Sequence, residues 1–325
     1  MRELRSLFWL FIALLFYQCS AVTSLNQQRT MEGPTFTPYQ GLKRRIAVVD
    51  FQNTTSHGDE QFGSAVADRL ISLLMRSGRF TIIERQQIET IMQEQALGQS
   101  GTMTDETAPM VGKLLGVQAI VLGTIIEAEQ ETGAHNIKND EKDDKNDWAL
   151  ALKATVGHVK IAYRMIDTAT GEVILADNVT GTEFRPGFGF KNKEFDFTDM
   201  FELDQTVIGF ALRKAIISMA EKIVEQAPTI AWQGKIIKVN EDNTLYFTPG
   251  MGSGISSGDV FRVYREHPIG DDPELTELMA IGLVRVHGFI GNNIAKATIL
   301  EGEALERGNI VKRMKGKPTA ETSVQ

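Results

Sequence analysis

The stretch GRFTIIERQQIETIMQEQ, residues 78–95, decides how this chain is read. A short apolar run, Phe80 to Ile83, passes directly into Glu84, Arg85, Gln86 and Gln87. Apolar positions then recur at helical spacing, at Ile88, Ile91, Met92 and Ala96. No Gly, Pro or Asn separates the two patterns. A buried strand running straight into a helix is a unit of an α/β body. Such a corner is either a catalytic elbow or a structural joint, and no His, Cys or Ser in the stretch offers a nucleophile.

The alternation extends outward on both sides. RRIAVVDF (44–51) reads as a buried strand. Residues 59–77 carry Phe62, Val66, Leu70, Leu73 and Leu74 on one helical face, and Gly78 stands where a C-terminal cap glycine belongs. After the second helix (85–98) and the loop GQSGTMT, Pro109 suits a first helical turn, and MVGKLLG makes a short third helix closed by Gly116. VQAIVLGTIIEA (117–128) is a third strand. HVKIAYRMID and EVILADNVTG flank Thr168-Ala169-Thr170-Gly171 and read as a hairpin, followed by a helix carrying Val207, Ile208, Leu212, Ala215, Met219 and Ile223. From Trp232 the texture changes to short strand-like runs between Gly, Asn and Pro clusters, the pattern of a small all-β barrel or sandwich. The fold class is therefore α+β: an α/β-type three-layer body with a mixed sheet over 43–227, then a small β-domain over 228–315 and a polar tail over 316–325.

With 325 residues the chain is long enough for about two domains. Its net charge of −8 argues against nucleic acid as a partner, because phosphate binding wants a basic face. At the N-terminus Arg2 and Arg5 precede eleven apolar residues, Leu7 to Tyr17. That is short of the roughly 20 a membrane-spanning helix needs, and it fits the core of a secretory signal within residues 1–24. Cys19, the one cysteine, lies two residues beyond the run and reads as a lipidation site. Gln18 before it departs from the small residue usual there, and the alternative is soluble export with cleavage after Ala21 or Ser24. Residues 25–42, polar with Gly33, Pro34 and Pro38, read as a tether.

The order of signal, Cys19, tether, RIAVVDF, amphipathic helix, the 78–95 junction, LLGVQAIVLGTI and RMIDTATGEVI resembles the curli production assembly/transport component family over residues 44–226. That family comprises bacterial outer-membrane lipoproteins that form secretion rings. The resemblance implies that Glu84 and Arg85 form a structural joint in a periplasmic body. Residues 232–314 resemble the C-terminal β-domain of flagellar assembly protein T, through Gly258-Asp259-Val260-Phe261 and Gly308-Asn309-Ile310-Val311.

The family builds its pore from two long β-hairpins per subunit. Between 127 and 157, Trp148, Leu150, Leu152, Ala154 and Val156 alternate as a barrel strand requires. Their would-be partner, residues 127–147, holds eight acids and three lysines and reads instead as an exposed mobile loop. Between 183 and 201, Phe184, Phe188 and Phe190, then Phe195 and Phe197, each keep one parity, which fits either an aromatic barrel pair or a soluble hairpin.

Other chemistry is thinly signalled. Gly254-Ile255-Ser256-Ser257-Gly258 matches the nucleophile elbow, but a strand follows where a helix is required, so it reads as a turn. The five histidines are scattered, and no C-x-x-C or H-E-x-x-H occurs, so no metal, cofactor or catalytic residue is expected. Asp50, His57 and Asp59 near the end of the first strand read as capping and turn residues rather than a ligand site. The expectation is a non-enzymatic, homo-oligomeric lipoprotein of the periplasm, held at the outer membrane and engaging other envelope or exported proteins. The alternative is a periplasmic scaffold without its own pore.

Overall fold

A computed structural model describes residues 33–56, 60–83, 116–138, 149–186, 206–269, 272–302 and 304–314. The N-terminal body holds β1 (Arg44–Val48), β2 (Gln52–Asn53), α1 (Glu60–Arg76), β3 (Phe80–Ile83), β4 (Ala119–Lys138), β5 (Ala149–Asp167), β6 (Val173–Pro186) and α2 (Val207–Gln226). Its sheet runs in the order β3-β1-β4-β5-β6, with β2 paired to β4. β1 is parallel to β3 and β4, whereas β4, β5 and β6 are antiparallel, so the sheet is mixed.

Both faces of the sheet are buried where β1, β4 and β5 run side by side, which is why Ile46 to Val48 and AIVL read as unbroken apolar runs. Ile46, Val48, Val121, Ile161 and Met165 share one core with both helices. Ala47, Ile120 and Ile166 are fully buried on the opposite side. The helix expected over 85–98, residues 110–115 of the next, and the joint at Glu84 and Arg85 lie outside the described residues; Gly116, expected to close that next helix, takes φ 63°. The described body is thus a sheet with two helices on one face.

α1 ends as its sequence requires. Gly78 takes φ 69°, and its N–H bonds the carbonyl of Met75. α2 begins at Thr206, whose hydroxyl accepts from the N–H of Gly209 at 2.9 Å. The β5–β6 turn is held by the Asp167 carboxylate, which accepts from the N–H groups of Ala169 and Thr170, with Gly171 at φ 75°.

The C-terminal strands are β7 (Gly234–Val239), β8 (Thr244–Thr248), β9 (Val260–Ile269), β10 (Asp272–Ile290), β11 (Ile294–Gly302) and β12 (Ile310–Arg313). They close into a barrel in the order β10-β11-β8-β7-β12-β9. Alternate residues point inward and pack around Trp232, Phe247 and Phe261, with ring centroids 5.2 and 5.4 Å from Phe261. The G-x-S-x-G match is a turn into β9: Ile255 is buried in the barrel, and the Asp259 carboxylate accepts from the Ser256 N–H at 2.9 Å.

The stretch expected to be a tether differs. From residue 33 onward it contributes to both cores: Phe36 packs against the body, and Leu42 lies in the barrel core, 4% exposed. The Lys43 N–H donates to the Ser253 carbonyl at 2.8 Å, and Arg44 donates to the carbonyl of Ile230 at 2.6 Å. Buried Gln118 completes the joint, accepting from the N–H of Arg45 at 2.8 Å and donating to the carbonyl of Gln233 at 2.9 Å.

Candidate assembly surface

β4 and β5 pair from Ala119↔Asp167 to Lys138↔Ala149, with one register shift on the way. This corrects the reading of 127–147 as an exposed loop: its first twelve residues are strand. Among the described residues, β6 follows β5 to Ala154↔Pro186. Beyond that point β4 and β5 continue, among the described residues, as a two-stranded ribbon.

A bulge between Ile125 and Glu127 explains how the acidic run is accommodated. It shifts the alternation by one residue, so that Ala128 stays on the helix side while Glu127, Glu129 and Glu131 take the other face. There Glu127 faces Lys160 at 3.5 Å and His158 at 3.2 Å, all partly exposed. A strand needs its main-chain ladder and compatible neighbours, not apolar side chains on its wet face.

On the helix side, small residues let α2 lie almost on the backbone of the sheet. A Cβ on Gly157 would come within 2.7 Å of the Val207 carbonyl oxygen, and one on Gly181 within 1.8 Å of the Ala211 carbonyl oxygen. At the end of β6 the Glu183 carboxylate receives Arg185 at 3.1 Å and Lys214 at 2.8 Å. The Arg185 guanidinium also stacks 4.0 Å from the Phe210 ring. The last residues of β6 are thereby fixed to the first turns of α2, at the base of the ribbon.

The residues singled out as a membrane hairpin divide accordingly. Leu150 and Leu152 lie in β5 on the ribbon, opposite Ile137 and His135. Phe184 is 60% exposed on β6, opposite Val156. Trp148, Phe188, Phe190, Phe195 and Phe197 lie outside the described residues, as does Cys19. Asp50 accepts from Ser64 Oγ at 2.8 Å, while His57 and Asp59 are not among the described residues. No described helix is long and apolar enough to cross a membrane, a statement that leaves strands untouched. Gly157, Gly181 and the Glu183–Arg185–Phe210 cluster were missed in the sequence. Glycines facing a helix leave no periodic signal, and the cluster joins elements far apart in the chain.

Comparison with known proteins gives this geometry a family. The model of the curli production assembly/transport component CsgG matches residues 27–244, a span that starts inside the expected tether and ends at the first residue of β8. A protein of Neisseria meningitidis serogroup B, provisionally named a lipoprotein, is 23% identical over 207 residues, covering 61% of this chain and 82% of its own. Among solved structures, the hypothetical protein CT253 of Chlamydia trachomatis aligns at 12% identity, covering 57% of this chain and 99% of its own, with a TM-score of 0.38. Lipoprotein GNA1162 of Neisseria meningitidis aligns at 11% identity over 57% and 99% of the two chains, with a TM-score of 0.32. Scores this low carry no functional weight. The family model spans most of the chain, and the chain belongs to the CsgG family.

Proposed function

We propose that this protein is a bacterial envelope lipoprotein that acts as an oligomeric scaffold or secretion component at the outer membrane, anchored through Cys19. The observation that carries the proposal is the unfinished sheet. Among the described strands, β6 is 14 residues long with a neighbour on one side only, and β4 and β5 run past its described end as a two-stranded ribbon. A two-stranded ribbon is marginal alone in water, and an open edge is a template for another chain. Repetition of one such contact in a head-to-tail sense generates a ring when the rotation closes. Membership of a family whose members form secretion rings supports that geometry.

A second reading is favoured by the closed barrel after residue 233: a scaffold that docks through the barrel, in the manner of flagellar ring accessory proteins, and has no pore of its own. Class-average images of detergent-extracted protein separate the two. The first predicts rings with a transmembrane β-barrel at their centre, and the second rings without one. Monodisperse single subunits would defeat both. The anchor is tested separately by fractionating cells that express Cys19→Ala. Release from the outer membrane is expected, and unchanged pelleting would refute lipid anchoring there.

A further inference from the structure

The outer face of the C-terminal barrel is sorted by chemistry in a way the family match leaves unexplained, because the match stops at residue 244. Register sets one row of outward residues across three strands: Lys238 on β7 lies beside Tyr246 on β8, and Tyr246 beside Lys296 on β11. The Lys296 ammonium stands 6.0 Å from the centre of the Tyr246 ring. Next along β10 and β11, exposed Arg285 pairs with Thr298. In the opposite direction along the same strands the face becomes apolar: Ile290 is 53% exposed, and Met251, on the short 3-10 turn after β8, is 50% exposed. The two belong to one end of the barrel, since the Gly252 N–H donates to the Asn292 carbonyl at 2.8 Å. The acids Glu241 and Asp242 occupy the β7–β8 turn, beyond the basic row and away from Met251. The order is therefore apolar, then basic with an aromatic, then acidic.

Residues 41–43 meet the barrel at its apolar end, while Gly33 and Phe36 before them lie against the body. Gly254 sits so close to Gly41 that a Cβ would come within 2.3 Å of the Gly41 carbonyl oxygen, and Lys43 is bonded to Ser253. We propose that this face is a membrane-docking surface for anionic lipid: Met251 and Ile290 enter the interface, while Lys238, Tyr246, Lys296 and Arg285 lie at the level of the headgroup phosphates. Two features favour lipid over an acidic polypeptide. Exposed apolar residues stand beside the basic row. Tyr and Lys occupy the position that amphipathic side chains take at a membrane–water boundary. The gradient also gives a reason for a basic patch on a chain of net charge −8. The inference rests on the envelope reading above and adds to it a second contact with the membrane.

The test is flotation of the Cys19→Ala protein, purified from the periplasm, with vesicles of phosphatidylcholine alone or mixed with phosphatidylglycerol. Binding is expected to the anionic vesicles only, and to weaken as salt rises from 0.1 to 1 M, where the screening length falls from about 10 Å to about 3 Å. A lysine near an anionic surface is worth roughly five-fold in affinity, so the double change Lys238→Ala and Lys296→Ala should weaken binding roughly 25-fold. Met251→Ser should weaken it a few-fold. Circular dichroism should show all variants folded, because these side chains point outward. No flotation with anionic vesicles, or equal flotation of the double variant, overturns the proposal. Flotation of purified protein is independent of where the cell places it. A protein found outside the envelope that still floats would defeat the envelope reading alone.

Discussion

In the body, β6 closes the described sheet with a 14-residue strand paired on one side, whereas in the barrel each of the six strands has two neighbours. Closure removes edges; an open sheet must cover, charge or use them. β6 is only lightly protected. It has no lysine, its one proline is the terminal Pro186, and Asp177, Glu183 and Arg185 are its only charges. Asp177 and Glu183 are moreover engaged by α2, through Lys222 and Lys214. The two halves therefore suit different contacts. Among the described strands, main-chain pairing is open to the body, and the barrel is left with contacts through side chains on its outer wall.

The comparison is tested most forcefully inside the barrel. Phe261 is fully buried and touches both Trp232 and Phe247, so Phe261→Ala should cost about 3–5 kcal/mol. If the halves unfold separately, calorimetry will show the barrel transition fall while the body transition stays. A single transition that moves as a whole would show that the joint welds the two cores together.

Leu42→Ala sharpens the same question from the other side. Leu42 precedes the first strand of the body yet belongs to the barrel core. Truncating a buried leucine costs about 2–5 kcal/mol, and here the loss should fall on the barrel. For the same reason a fragment of residues 232–314 lacks part of its own core. Residues 39–43 supplied as a fused segment should raise its melting temperature, and a fragment equally stable without them would contradict the assigned place of Leu42.

Much of this was legible in the residues. The strands of the barrel, α1 and α2 follow from periodicity, and the turns at Gly78 and Gly171 from glycine's access to positive φ. Two things were not. The acidic half of β4 looked like a loop because residues 127, 129 and 131 read as solvated charge, and the bulge that places them on the wet face leaves no mark in the sequence. The strap through Leu42 was hidden because one apolar residue among polar ones has no period. Ile255 and Trp232, which share its core, lie about two hundred residues away. Both failures concern contacts at long range, which local pattern cannot encode.

A smaller effect is expected at Tyr163, in the body core. Its hydroxyl is buried with no hydrogen-bond partner among the described residues, and burial, then Asp177 and Glu225, raise its pKa. Tyr163→Phe keeps the ring and removes the stranded hydroxyl, so it should be neutral or stabilising by about 1 kcal/mol. The sign with pH follows. A tyrosine whose folded pKa is raised contributes stability that is complete below its unfolded value near 10 and is lost as pH rises beyond it. Tyr163→Phe should therefore flatten the alkaline fall in melting temperature. An unchanged alkaline slope would remove Tyr163 as its source.

The smallest effect belongs to the edge strand itself. Asp177 on β6 is paired with Lys222 of α2, and that hydrogen bond, followed by the N–H of Asn178, holds its carboxyl below the usual range. Both side chains are more than a third exposed, 40% and 38%, so water screens the pair and Lys222→Ala should cost about 0–1 kcal/mol. The folded pKa is depressed, so the contribution is present above the unfolded value near 3.9 and disappears as pH falls through the folded one. Wild type and Lys222→Ala should thus differ slightly in melting temperature at neutral pH and low salt, and converge in acid or at high salt. Oligomer size is the more telling readout. If β6 is the edge that pairs with a second chain, loosening its tie to α2 should weaken assembly by more than it weakens the fold. A variant that melts earlier yet assembles as wild type does would place the subunit contact elsewhere.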